Sequence, residues 1–372
     1  MSTNLIQASR QWATRPADQR FTSLPSLLER CTQFRASADA KVIPNRAINV
    51  IADPSDDLRG ILLEGPNGVP VAPSNWAFGQ LAGLAKFPTA PLRELPSPLV
   101  ADILNYKMQV QRGVESVGVM TAANVDGAGE RVLACATGPN YGRMWNADIT
   151  SALIERFGDG VSGYWRVPGE FGVAVPVTKE NTTLYASDRD MFIFLADEER
   201  RIEIPNRRDG KAGGLARGFF LWNSELGSRS LGFAAFLFDY ACRNRTVWGA
   251  EGYREIRISH TAGVSYRWLE EVIPQLEAYA KSSAEPVVRQ ITNAQGKSLG
   301  DEDSVRKFLT GRKFSGAQAS AIMAAHVSDE GKPIETIWDA VTGITAYART
   351  QPYQDERVDL EREAGKVLEL AR

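Results

Sequence analysis

The sequence predicts an α+β fold in which a central mixed or antiparallel sheet packs against helices and is followed by an all-helical C-terminal region. From 115 to 260, segments rich in β-branched and aromatic residues alternate with turn clusters such as DGAGE and RRDGKAGG, a pattern typical of strands in a sheet. After Gly263 the segments have the apolar spacing of amphipathic helices, and several begin with Ser, Thr or Asp.

The N-terminal part is predicted to contain a tail, helices and short strands. Residues 1–20 form the tail, and the next segment, TSLPSLLERCTQFRASA, has its apolar residues at helical spacing. NRAINVIAD and RGILLEG alternate like strands. SNWAFGQLAGLAKFP and SPLVADILNYKMQ are predicted helices, with Ser74 and Ser97 as their caps.

The region from 115 to 260 is predicted to supply most of the sheet. Its first strands lie in ESVGVMTAANV, ERVLACAT, TLYASDRDMFIFLAD and RRIEIP, and the helix NADITSALIERFG interrupts them. GFFLWNSE and SRSLGFAAF are strands joined at Leu226 and Gly227. If LGFAAFLFDYACRN is a strand throughout, both its faces are apolar and it is buried; alternatively, its second half is a short helix. YREIRISH places arginine outward and Ile256 and Ile258 inward, so we expect a sheet with one polar, cationic face.

The second half of the chain also predicts the domain boundaries. SSAEP is the most linker-like break, which gives a tail at 1–20, an α+β core at 21–283 and a helical region at 284–372. Pro274 is expected to kink or break the first C-terminal helix, because proline lacks the amide N–H that a helix interior uses.

Composition bounds the class of protein. With 372 residues, 43% of them hydrophobic, the chain can bury a sizeable core. No apolar run approaches the ~20 residues that span a bilayer, and the N-terminus lacks the apolar segment of a signal peptide, so we expect a cytoplasmic protein without membrane contact. Cys31, Cys135 and Cys242 are expected to be reduced and packed. Because the chain has only two histidines, we predict no metal, and nothing indicates a cofactor.

The sequence contains several weak catalytic signals. Gly-Lys-Ser at 296–298 is not a phosphate-binding loop, because isoleucine occupies the position of the loop's first glycine. His260 could act as the general base of a hydrolase, although a histidine at the end of a strand is more often structural. Asp188 and Asp190 bracket Arg189, which favours salt bridging over metal binding.

Charge is distributed unevenly along the chain. Residues 200–270 contain 12 Lys plus Arg against 7 Asp plus Glu, a local charge of +5, whereas the whole chain has a net charge of −2. Eleven of the twelve cations are arginine, which binds phosphate with a planar fork and stacks on rings. Salt bridging within the sheet is the alternative explanation. The residues predicted to bind nucleic acid are Arg200, Arg201, Arg207, Arg208, Lys211, Arg217, Arg243, Arg245, Arg254, Arg257, Trp222 and Tyr253.

Three blocks of sequence resemble a known family. NSELGSRSLGF, FDYACRNRTVWG and RISHTAG are similar to the core pattern of the DUF932 family of phage- and plasmid-borne proteins, and the resemblance covers roughly 60–270. Arg245 stands where the family pattern has a glycine. The resemblance implies a mobile genetic element as the source, where DNA handling is a common task, and a distant similarity to ring-forming single-strand annealing proteins.

These observations leave three hypotheses of function. The first is a single-stranded DNA-binding protein of a mobile genetic element, acting as an oligomeric recombination or annealing protein, and we expect the chain to form a homo-oligomer. The second is a protein-interaction module or an inhibitor of a host protein, and the third is a hydrolase using His260. The first requires the arginines to gather along one water-facing trough, and the sequence pI of about 5.9 speaks against it.

Overall fold

The computed structural model describes residues 16–55, 60–64, 69–110, 115–123, 130–167, 176–180, 182–204, 213–239, 245–247, 256–351 and 354–371. In this part of the chain helices surround two sheets, and only helices follow Gly263. The predicted α+β class with a helical C-terminal region is therefore confirmed.

The described strands are numbered in chain order. They are β1 (Arg20–Phe21), β2 (Asp39–Pro44), β3 (Asn49–Ala52), β4 (Ile61–Glu64), β5 (Pro70–Pro73), β6 (Ser116–Ala123), β7 (Arg131–Thr137), β8 (Trp165–Arg166), β9 (Leu184–Ala186), β10 (Met191–Asp197), β11 (Ile202–Ile204), β12 (Gly213–Asn223), β13 (Leu231–Asp239), β14 (Arg245–Val247) and β15 (Ile256–Ile258).

The described α-helices are numbered in the same way. They are α1 (Leu24–Ser37), α2 (Asn75–Leu84), α3 (Thr89–Leu92), α4 (Ser97–Val110), α5 (Asn146–Phe157), α6 (Val264–Arg267), α7 (Ile273–Lys281), α8 (Glu285–Gly296), α9 (Glu302–Thr310), α10 (Gly316–Glu330), α11 (Ile337–Arg349) and α12 (Gln354–Leu368). Short 3₁₀ turns occupy Ala17–Gln19, Asn45–Ala47 and Glu369–Ala371.

The larger sheet, called here the large sheet, has nine strands among the described residues, all paired antiparallel. β10, β12 and β13 form its centre. β9 and then β1 extend it on one side, and both β14 and β15 pair with β13 on the other. The hairpin predicted at Leu226 and Gly227 is the connection between β12 and β13.

The central strands of the large sheet are buried on both faces. On one face, alternate residues of β12 and β13 join the main core with α1, α5 and α7. On the other face lies an aromatic cluster, which we call the aromatic face; its rings are Phe192, Phe194, Phe220, Trp222 and Phe236. Of the segment LGFAAFLFDYACRN, Leu231–Asp239 is a strand and residues 231–237 are buried, as the strand alternative expects; residues 240–244 lie outside the described residues. The expected polar, cationic face is wrong, because apolar residues of both parities bury both faces.

Two glycines let rings lie flat on the aromatic face. Gly218 pairs across the strands with Phe236, and Gly232 pairs with Trp222. A Cβ atom on Gly218 would lie 2.4 Å from Phe236 Cζ, and one on Gly232 would lie 2.4 Å from Trp222 Cζ2. Each ring therefore occupies the space that a side chain on its partner would fill.

The smaller sheet, called here the small sheet, has the order β2-β6-β7-β5-β4-β3 among the described residues. Its β5–β7 pair is parallel and the others are antiparallel, so the small sheet is mixed whereas the large sheet is antiparallel. Helix α4 closes the β3 edge, because the Asn105 side-chain amide donates to Val50 O and accepts from Val50 N, both at 2.8 Å. The sequence did not predict β2, which lies at the other edge and is mostly exposed.

The C-terminal helices continue the main core rather than forming a separate one. The same apolar cluster runs from the large sheet through α7 to α11 and α12. Ser315 and Thr336 each close a capping box at the start of α10 and α11. The break expected at Pro274 is present as a π turn over Trp268–Val272, directly before α7. The division at 283 falls between α7 and α8 and stays a prediction.

Two further expectations concern cysteines and membranes. Cys31 and Cys135 are buried free thiols, and burial raises the pKa of both; Cys242 lies outside the described residues. Within the described ranges, no helix combines the length and the apolarity needed to cross a bilayer.

Replacing Gly232 by alanine tests the ring-over-glycine packing. The new Cβ would meet the Trp222 ring at 2.4 Å and the Ile256 carbonyl oxygen at 2.5 Å, so we expect a loss of about 1–3 kcal/mol in unfolding free energy, measured by urea denaturation. Gly296→Ala is the control, because no atom lies within 4 Å of the added methyl group. Equal stability of the two variants would contradict this packing.

Candidate nucleic-acid interface

The tip of the β12–β13 hairpin, residues 224–230, is held by side chains of helix α2 and of the loop that follows β7. Three successive carbonyl oxygens of the tip each accept a side-chain hydrogen bond, so this buried turn leaves none of them unsatisfied. The bonds are Tyr141 Oη to Ser224 O (2.7 Å), the Arg143 guanidinium to Glu225 O, and both Trp76 Nε1 (2.9 Å) and Gln80 Nε2 (2.7 Å) to Leu226 O.

Gln80 connects the two sheets directly. Its Nε2 donates to Leu226 O in the hairpin tip, and its Oε1 accepts from the Ala136 N–H of β7 at 2.9 Å. One side-chain amide therefore satisfies one backbone group of each sheet. We call the set Trp76, Gln80, Tyr141 and Arg143 the socket.

Glu225 carries a fully buried carboxyl group at the hairpin tip. Its Oε1 accepts from the Asn146 N–H at 2.5 Å, at the start of α5, where a carboxylate compensates the exposed N–H groups of a helix. Burial raises the pKa of Glu225 to about 7, although the Asn146 hydrogen bond and the charge of Arg143 act to lower it. This acid therefore titrates near neutral pH.

Five strands of the large sheet align one row of residues next to this tip. Tyr185 of β9 pairs with Phe192 of β10, and Phe192 pairs with Trp222 of β12. Trp222 in turn pairs with Gly232 of β13, which pairs with Arg257 of β15. Directly paired residues share a face of a sheet, so three rings and a guanidinium group form one continuous row.

Three guanidinium groups lie over the rings at this end of the sheet, and we call them the arginine cluster. Arg229 lies 5.2 Å from the Phe192 ring centroid and Arg257 lies 5.7 Å from that of Trp222. Arg362 of α12 lies 6.0 Å from both Phe220 and Trp222. Each distance is within the range of cation–π attraction. The three residues come from the hairpin tip, β15 and the last helix.

Carboxylates partly neutralise the arginine cluster. Arg229 Nε bonds to Asp190 Oδ2 at 3.0 Å, and this carboxylate is buried. Arg362 bonds to the exposed Asp359 at 3.2 Å. The Asp190 pair bears out the expected salt bridging of this acidic segment, but with Arg229 as the partner. No group of residues suited to hold a metal ion occurs in the part of the chain that the structure describes.

Arg217 does not lie in a water-facing trough. It is 1% exposed, its Nη1 donates to Ser282 Oγ at 2.9 Å, and its Nη2 lies 3.8 Å from Asp197 Oδ2. It belongs to the main-core face of β12, whereas Arg257 lies on the aromatic face. Successive residues of a strand point to opposite faces of the sheet. Arg217 and Trp222 are five residues apart on β12, so they lie on opposite faces and cannot share a surface.

Trp222 itself is a packed residue rather than an open stacking platform. It is 5% exposed and contacts the Phe220 ring at 5.1 Å. The expectation that its ring stacks on a base is therefore corrected, because neighbouring side chains already cover it. Arg257 above it is exposed, and Ile258 beside it is buried, as the alternation in YREIRISH predicts.

Arg200 and Arg201 lie at the opposite end of β10. They follow Asp197, whereas Phe192 and the arginine cluster are near the start of that strand. Arg200 Nη1 donates to Ala280 O at 3.1 Å, and Arg201 pairs with Glu198 at 3.0 Å. The structure does not bring these two arginines together with Arg257.

The side chains of the remaining residues that were predicted to bind nucleic acid are not described. Only the backbone of Arg245 is described, in β14, where it pairs with Phe238. The others lie outside the described residues: Arg207, Arg208, Lys211, Arg243, Arg254 and Tyr253.

Sequence reasoning missed Arg229 and Arg362 as members of the cluster. Arg229 follows the hairpin turn, and its place above Phe192 depends on how the tip is held. Arg362 lies on a helix more than a hundred residues further along the chain, and no local pattern indicates its contact with the sheet.

His260 has a structural environment. Its Nδ1 is 2.9 Å from Gly142 O, and its ring stacks on Tyr141 at 4.9 Å. Burial lowers the pKa of His260. Gly142 must lack a side chain here, because a Cβ would lie 1.7 Å from Thr261 O. This close packing of two loops favours the structural interpretation of the histidine.

Comparisons with known proteins give no relative. No protein-family profile, no curated protein and no solved structure matches the chain. The DUF932 resemblance stays a prediction.

The pH dependence of stability tests the buried carboxyl of Glu225. Its folded-state pKa of about 7 is above the ordinary 4.5, so the folded state holds the proton more tightly and unfolding free energy falls as pH rises from about 4.5 to about 7. This interval corresponds to about 3 kcal/mol. Glu225→Gln keeps an acceptor for Asn146 and cannot ionise.

We therefore expect Glu225→Gln to remove this decline, so that the difference in unfolding free energy between variant and wild type grows with pH. Urea denaturation at several pH values measures this difference in unfolding free energy. His260 contributes in the opposite direction, because its lowered pKa makes stability rise with pH. Its contribution is the same in both proteins and cancels in the difference. A difference that is constant with pH would show that Glu225 does not titrate in this range.

Proposed function

We propose that the protein binds single-stranded DNA at the arginine cluster of the large sheet, as a recombination or annealing protein of a mobile genetic element. One observation carries this proposal: the guanidinium groups of Arg229, Arg257 and Arg362, from three distant segments, lie over neighbouring rings of one sheet face.

The chemistry of these groups favours a single strand over a duplex. A guanidinium group that rests on a ring with one face can present its other face to a ligand. Unpaired nucleotides offer both phosphates for the N–H groups and base faces that stack on guanidinium planes. A duplex conceals its base faces, so it would use only the charge.

The carboxylates paired with the arginine cluster limit how much phosphate contacts contribute to the binding affinity. Asp190 and Asp359 each pair with one member of the cluster, so we expect few phosphate contacts and a shallow dependence on salt. For single strands, each contact contributes a slope of about −0.7 in a plot of log affinity against log salt concentration.

Fluorescence anisotropy with a labelled oligothymidylate at several salt concentrations tests the proposal. Arg257→Ala should weaken binding several-fold and reduce the salt slope by about one contact. Arg257→Lys should restore the salt slope but not the full affinity, because lysine keeps the charge without the planar stacking group.

Arg156→Ala is the matched control. Arg156 is an ion-paired arginine of α5, on the main-core side of the large sheet, where it bonds to Glu277 at 2.8 Å. No binding at low salt, or binding that Arg257→Ala and Arg156→Ala change equally, would overturn the proposal. Thermal unfolding of each variant checks that the fold is retained.

A further inference from the structure

Helix α4 has two apolar sides. One side is buried: Val100, Ala101, Leu104 and Met108 are all in the core of the small sheet. The opposite side also carries large apolar residues, although it faces solvent. Leu99 is 46% exposed, Tyr106 63% and Val110 51%.

The exposed apolar residues form a stripe along the helix. Leu99, Ile103, Tyr106 and Val110 are spaced by four, three and four residues, so they lie within about 60° of arc on a helix of 3.6 residues per turn. Ile103 is partly buried at the margin of the core. Spacing of this kind places residues at the core positions of a two-helix seam. We call these four residues the α4 stripe.

Two opposite charges flank the α4 stripe. Asp102 directly precedes the core position Ile103, and Lys107 directly follows the core position Tyr106. Neither has an ion-pair partner among the residues that the structure describes. In heptad terms, they occupy the g and e positions that determine the orientation and the choice of a partner helix.

We propose that the α4 stripe is the interface of a homodimer, in which α4 packs in parallel against α4 of a second copy. In a parallel pair, a g residue meets the e residue five positions later on the other helix. Asp102 of one copy then meets Lys107 of the other, and the two-fold axis makes this contact twice.

The same charges disfavour the antiparallel arrangement. There the flank that carries Asp102 faces the equivalent flank of the second copy, and the flank that carries Lys107 likewise faces its own equivalent. Neither pairs with an opposite charge. The self-complementary charge pattern therefore selects a second copy of this chain, in parallel, as the occupant of the stripe.

The expected dimer is weak and reversible. Helix α4 has 14 residues and is about 21 Å long, so the contact is at the small end of specific interfaces. The helix belongs to the small sheet and the arginine cluster to the large sheet, and the inference does not depend on nucleic-acid binding.

A charge-reversal cycle measured by sedimentation equilibrium, over a wide range of concentrations, tests the proposal. Asp102→Lys and Lys107→Asp each place like charges in contact and should weaken association about tenfold or more. The double variant restores opposite charges and should recover wild-type association. A wild-type chain that stays monomeric throughout, or a double variant no better than the singles, overturns the proposal.

Substitutions within the α4 stripe test two points separately: whether its apolar residues drive association, and whether the two helices are parallel. Val110→Asp should abolish association, whereas Val327→Asp, at a comparably exposed position on α10, should leave it unchanged. Equal effects of the two substitutions on association would overturn the proposed interface.

Under oxidising conditions, Val110→Cys should form a disulfide-linked dimer beyond the wild-type background. If it crosslinks only when mixed with Leu99→Cys, the helices are antiparallel and the parallel dimer is wrong.

Discussion

The two sheets are held in a fixed relation by the backbone of one turn. The carbonyl oxygens of Ser224, Glu225 and Leu226 are buried between the sheets, and each must find a donor because an unsatisfied buried carbonyl costs about 1–3 kcal/mol. The socket supplies all of these donors, from helix α2 and from the loop that follows β7, both of which adjoin the small sheet. The position of the hairpin tip relative to the small sheet is therefore determined by hydrogen bonds with direction, and not by apolar contact alone.

The position of the arginine cluster follows from this constraint. Arg229 is part of the tip. Ser224 Oγ and Ser228 Oγ both donate to Arg189 O, at 2.6 and 3.0 Å, and these two bonds connect the tip to the turn just before β10. Phe192, the ring beneath Arg229, lies on that strand. Glu225, at the same tip, caps α5. One turn thus joins both sheets, a helix start and the proposed ligand-binding side chains.

The sequence predicts the parts of this structure that depend on local periodicity. The β12–β13 hairpin and the cap of α2 at Ser74 are found, and β13 follows the strand alternative over its described residues. β2 was missed because it is exposed along most of its length and has no clear alternation. The prediction of a common trough of arginines is wrong for a different reason. Alternation indicates which residues of one strand share a side. It does not indicate that Arg217 and Arg257 belong to opposite faces of the sheet or that both faces are covered. The contact of Arg362 with the sheet is long-range, and a single sequence contains no signal for it.

The preference for arginine over lysine has a physical explanation in the fold itself. Arg217 lies 5.6 Å from the Tyr279 ring, and Arg229 and Arg257 lie over Phe192 and Trp222. A planar, weakly hydrated guanidinium group covers a ring at a lower desolvation cost than an ammonium group. Packing on rings therefore selects arginine at all three positions, with or without a ligand. What distinguishes the proposed binding residues is exposure: Arg217 uses its N–H groups inside the protein, whereas Arg257 lies at the surface. Packing on rings thus accounts for three of the eleven arginines in 200–270, and of these three Arg257 is the most exposed.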